Sequence, residues 1–208
     1  MFHVKQVIIE GIMNNSQTIY ALSSGPLPAA IAIVRVSGPQ ASEVMRLLGA
    51  NMFTPRKLVL TKLKPTGQEI IDIGLVCFFP ENQSITGEDL AEFHLHGSIA
   101  VIDELFLFFS TLKGLRVAEP GEFTKRALVN GKMGLTEVEG LADLISSETK
   151  QQKIQSIKLL EGELSKKYID WRQKLIEARA EMEALLDFSD EGDVSQKADS
   201  FNFIINIS

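Results

Sequence analysis

The chain has 208 residues, 45% of them apolar, and carries 21 Lys and Arg against 27 Asp and Glu for a net charge of -6, which suits one or two domains with a substantial core but lacks the basic footprint of a self-sufficient nucleic-acid binder. The lone Cys77 excludes an intramolecular disulfide and a cysteine-based zinc cage. No apolar run reaches the length of a membrane span, and Glu10 interrupts the apolar N-terminal stretch before a signal core forms, so a cytoplasmic protein without membrane contact is expected.

In chain order, residues 18–24 (TIYALSS) and 29–38 (AAIAIVRVSG) have the β-branched, apolar composition of strands and are joined by a turn at Pro26 and Pro28. Residues 40–48 form a short helix that stops at Gly49. RKLVLTKLK and EIIDIGLVCFFP flank the polar turn Pro65-Thr66-Gly67-Gln68 and read as a hairpin, and AEFHLHG follows as another strand. Residues 99–112 are too long an apolar run for a strand and predict a buried helix, and GEFTKRALVNG predicts a two-turn helix closed by Gly131. The sum is an α+β domain with helices packed on a mostly antiparallel sheet.

The composition changes near residue 130. Eleven Lys and Arg face twelve Asp and Glu up to that point, ten face fifteen beyond it, and no proline follows Pro120. A domain boundary belongs there, with a partial all-α domain after it. Thr136 and Glu139 have capping-box spacing at a helix start, and apolar residues recurring from Ile154 to Leu185 every three or four positions predict one long helix in a packed antiparallel hairpin. The tail after Leu186 is acidic, then FNFIINIS is abruptly apolar.

Three features carry candidate chemistry. Strand alternation puts Glu92, His94 and His96 on one face, a polar pocket wall rather than a metal site, since no further ligand stands nearby. Arg35 lies in an otherwise apolar strand and requires a counter-charge such as Glu92, a ligand carboxylate, or access to solvent. Lys132 follows Gly131 just past a helix end, where its cation suits the carbonyl dipole; Arg126 and Met133 replace the Gly and Ser or Thr that a phosphate loop needs. Lys125 and Arg126 form only a small basic spot.

The ordered segments TIYALSSG, IVRVSGP, FFPENQSITGEDLAEFHLHG, PGEFTKRALVNGKMGLTEVEGLADLI and LLDFSDE resemble the N-terminal part of the tRNA modification GTPase family MnmE, also called TrmE, from about residue 18 to about residue 199. The resemblance implies a fold similar to the aminomethyltransferase of the glycine cleavage system, binding 5-formyltetrahydrofolate or another one-carbon tetrahydrofolate and forming a homodimer. Its boundaries would be a non-family extension over 1–15, the folate-binding and dimerisation domain over 16–130, a partial helical domain over 131–190 and a tail over 191–208. The family's folate contacts fall on Arg35, Glu92 and Lys132, with no catalytic residue and no metal ligand assigned.

The family works with the FAD-dependent partner MnmG on the wobble uridine of tRNA. Potassium, magnesium and GTP belong to a GTPase domain whose phosphate loop, switch and base-recognition motifs this sequence lacks, so GTP hydrolysis by this chain is not expected. A truncated or frameshifted reading of a longer gene, starting at Met1 or Met13, is the expectation for its two ends. Competing readings are a stand-alone folate-dependent one-carbon transferase, with His94, His96 or Glu122 as base, and a structural fragment that binds MnmG or an intact subunit.

Overall fold

The structure is a computed structural model that describes residues 17–51 and 54–187. The expected extension at the N-terminus and the tail over 191–208 lie outside the described residues. Two compact units divide between Met133 and Gly134.

The first unit is built on a six-stranded sheet in the order β3-β4-β5-β2-β1-β6. Its strands are β1 (Thr18–Leu22), β2 (Ala29–Ser37), β3 (Val59–Leu63), β4 (Asp72–Phe79), β5 (Leu90–Gly97) and β6 (Leu115–Val117). All neighbours are antiparallel except β1 and β6. The helices are α1 (Ala41–Leu47), α2 (Ile99–Thr111) and α3 (Glu122–Val129).

Alternation along the strands makes two unlike faces. Val34, Val36, Phe93, Leu95, Val76 and Tyr20 point to one side and share a core with Val44 and Met45 of α1 and Ile102, Leu105 and Phe109 of α2. The intervening residues point the other way, and there Ile31, Leu60, Ile73 and Leu75 are exposed while Arg35, Glu92 and His94 are half-buried. This second, open face is the surface on which a site can be built. The expected strands and helices are all present, so the α+β architecture stands; β6 is an addition, three residues that extend the sheet by a parallel pairing to β1.

In the second unit α4 (Leu135–Ser146) and α5 (Lys150–Leu160) pack together, and α6 (Glu163–Asp187) follows. Two sequence expectations need correction here. The single long helix is two, because the chain turns at Gly162, whose φ of 74° lies in the left-handed region that side chains with a Cβ avoid. The capping box is also displaced: Gly134 occupies the N-cap, its backbone N–H donating to Glu137 Oε2 at 2.8 Å, while Thr136 is bonded instead to Ser165. A box forms further on, where the Gln152 N–H donates to Thr149 Oγ1 and the Gln152 side chain accepts from the Thr149 N–H. Tyr168, Ile169, Trp171, Leu175 and Met182 of α6 are exposed.

Candidate functional site

Arg35 and Glu92 sit directly opposite one another in the β2–β5 ladder, and alternation turns both side chains to the open face. Arg35 Nε donates to Glu92 Oε1 at 2.8 Å, with the two side chains 31% and 13% exposed. The counter-charge that an arginine in an apolar strand requires is therefore Glu92. The second carboxylate oxygen, Oε2, lies 3.2 Å from His94 Nε2. Each oxygen keeps a lone pair, and the pair presents a carboxylate edge beside a guanidinium whose terminal nitrogens still have N–H groups to donate, a surface for a flat amide or an anionic tail.

The flanking groups limit the chemistry. Cys77 stands opposite Glu92 from β4 and is buried. Burial first, and then the neighbouring Glu92 charge, push its thiol above the ordinary value, so it rests protonated and is no thiolate nucleophile. His96 is drawn to the rim, where Asp72 accepts from its backbone N–H at 2.9 Å and lies 2.8 Å from its Nδ1. Burial alone would raise the Asp72 carboxyl, but these bonds and the Ile73 N–H outweigh it and hold it below its usual value. Among the described residues no group of three His, Cys, Asp or Glu is placed to hold a metal ion.

Lys132 does not contact the Arg35–Glu92 pair. Its Nζ donates to the Asn82 carbonyl at 3.1 Å, in the loop that joins β4 to β5. That loop begins with a single 3-10 turn over Glu81–Gln83 and then packs under the Lys132 stem at Gly87, where a Cβ would lie 2.6 Å from Asn130 Cβ and 3.2 Å from Lys132 Cγ. With φ at 73°, Gly87 is required both by the backbone and by the close approach. The structure thus brings two of the three expected residues into contact and suspends the third from a loop near the same end of the sheet.

A buried ion cluster, absent from the sequence reading, lies beside that loop. Glu122 at the start of α3 accepts from Arg116 at 2.6 and 2.8 Å and from Arg126 at 3.0 Å, and Arg126 also donates to Glu88 at 2.8 Å. Burial would raise the Glu122 carboxyl, yet Arg116, the Glu119 N–H and Arg126 together bring it down to about 2. Glu122 is consequently held as an ion-pair acceptor rather than a catalytic base. Arg126 is 7% exposed, so the expected basic spot shrinks to Lys125. The i to i+4 spacing of Glu122 and Arg126 was the available signal for this pairing.

Comparison with known proteins covers both units of the chain. Residues 18–132, which carry the whole sheet, match the family described as the GTP-binding protein TrmE N-terminus, and residues 135–206 match the MnmE helical domain. A tRNA modification GTPase MnmE from Rhodopseudomonas palustris (strain ATCC BAA-98 / CGA009) is 49% identical over 88% of this chain and 42% of its own length. The protein of that name from Bradyrhizobium sp. (strain ORS 278) is 51% identical over 86% of this chain and 40% of its own length, and the one from Mesorhizobium japonicum 47% identical over 88% and 41%. The chain belongs to the MnmE family. It spans about two fifths of the length of these relatives.

Proposed function

We propose that this chain is the tetrahydrofolate-binding and dimerisation module of a tRNA-modifying GTPase, joined to the first part of the helical domain. The observation that carries the reading is the half-buried Arg35–Glu92 pair, flanked by His94, on an open sheet face that also exposes Ile31, Leu60, Ile73 and Leu75, with Lys132 held near its end. A pterin ring offers adjacent amide and amino donors that a carboxylate accepts in bidentate fashion, and the glutamate tail of folate suits a guanidinium or an ammonium. The exposed Ile31, Leu60, Ile73 and Leu75 support a second copy of the chain as the cover of that face.

The names of the relatives assign tRNA modification and GTP hydrolysis to those longer proteins. In this reading GTP, potassium and magnesium act in the part of them that this chain does not span. Together with MnmG, such a protein would install an aminomethyl-type group on the wobble uridine of tRNA in the cytoplasm. With Glu122 locked in an ion cluster and the Cys77 thiol protonated, the chain's own contribution is to bind and orient the folate.

Calorimetric titration with 5-formyltetrahydrofolate tests the proposal. Glu92→Ala should weaken binding by about 1.5–3 kcal/mol, the range for a charge-assisted hydrogen bond. Equal affinity of the variant and the parent would remove Glu92 from the site.

A further inference from the structure

Ser37 lies two residues beyond Arg35 on the same face of β2, about 7 Å along the strand. It is fully buried, and its hydroxyl bonds Thr86 Oγ1 at 2.8 Å and donates to Glu88 Oε2 at 2.9 Å. The same Glu88 oxygen accepts from Arg126 Nη1 at 2.8 Å. The β4–β5 loop is thereby fastened at one point to the sheet end and at the other to α3. From α3 the chain runs directly to Lys132, and Asn130 Nδ2 donates back to the Thr86 carbonyl at 2.7 Å.

We propose that Arg126 is a positioning residue for the ligand of the open face: through Glu88 it clamps the 84–88 loop onto the end of β2, and through that loop it sets where the Lys132 ammonium stands. The inference rests on the folate reading above for the identity of the ligand. The clamp itself follows from geometry. Lys132 has two ties to the loop, the Asn82 carbonyl at its tip and the Gly87 backbone under its stem, so a displaced loop moves the cation.

Arg126 is an expensive way to gain stability alone. Its Nε is buried and, among the described residues, has no hydrogen-bond partner, and a buried ion pair replaced by apolar side chains of similar volume commonly costs a fold little. What the guanidinium provides that an apolar residue does not is a fixed direction toward Glu88.

The test uses the full chain with Arg126→Met, Glu88→Ala and Glu88→Gln. Glu88 is partly exposed, so its variants keep the fold even if Arg126→Met does not. The first readout needs no ligand: the amides of residues 87 and 88, both bonded to Ser84 Oγ, should exchange about tenfold faster in Glu88→Ala and Arg126→Met, because the loop opens locally. The second is affinity for 5-formyltetrahydrofolate, expected to fall about tenfold in the same two variants and to be largely restored in Glu88→Gln, which keeps a carbonyl acceptor. On a Lys132→Ala background, Glu88→Ala should cost at most about twofold more, since the two act in series.

Unchanged loop exchange overturns the proposal whatever the ligand does. So does faster exchange with unchanged affinity, or additive losses in the double variant. Should the parent chain fail to bind 5-formyltetrahydrofolate, the folate reading falls and the exchange readout alone decides the clamp, acceleration supporting it and its absence overturning it.

Discussion

Replacing Glu122 by Ala is expected to lower the unfolding free energy at pH 7 by about 3–5 kcal/mol, because it removes the buried carboxylate that pairs with both Arg116 and Arg126 and leaves buried Arg126 only the partly exposed Glu88 as a carboxylate partner. The same residue dictates an acid-sensitive window. A carboxyl held at about 2 in the folded state, against 4.5 when free, contributes stability that is fully present above pH 4.5 and is lost as pH falls toward 2. The depression corresponds to about 3 kcal/mol at 1.36 kcal/mol per pKa unit. Urea unfolding at pH 7 and pH 2.5 should therefore show a larger acid loss for the parent than for Glu122→Gln. Parallel losses in the two proteins would mean that Glu122 is not the titrating group.

The second large effect is expected at Phe109. Its ring is fully buried and meets Tyr20 edge-on at 4.9 Å between centroids and Phe93 at 6.1 Å, which ties α2 to both β1 and β5. Phe109→Ala should cost about 3–5 kcal/mol, the sum of lost transfer energy and an unfilled cavity between helix and sheet. Leu107, on the same helix but exposed, is the control: Leu107→Ala should change the urea midpoint little. Similar losses at both positions would contradict the assignment of the helix face that packs on the sheet.

Much of this architecture was legible because strand alternation and helical spacing are local. The alternation in IVRVSG and AEFHLHG placed Arg35 and Glu92 each on one face and made Glu92 one of the possible answers to Arg35, and the β2–β5 ladder joins them 57 residues apart in the chain. β6 was not legible: three residues carry no period, and their pairing with β1 depends on where α2 returns the chain. The turn at Gly162 was hidden by an apolar stripe that continues in register on both sides of it, although the glycine itself was the signal. The burial of Arg126 was hidden for a different reason. Its partners Glu88 and Glu122 are set by tertiary approach of a loop and a helix, and an adjacent lysine made the pair look like a surface patch.

Where Lys132 stands is likewise a tertiary matter, since it hangs from the Asn82 carbonyl in a loop that the Ser37–Glu88–Arg126 bonds fasten to β2 and α3. In the proposed reading Arg35, Glu92 and Lys132 serve one folate. Nuclear magnetic resonance of the labelled chain during addition of 5-formyltetrahydrofolate tests it most directly. Signals of Arg35, Glu92 and Lys132 should shift along one saturation curve with a common Kd, while those of α5 and α6 stay in place; shifts that saturate at different concentrations, or that spare the Arg35–Glu92 pair, would contradict it.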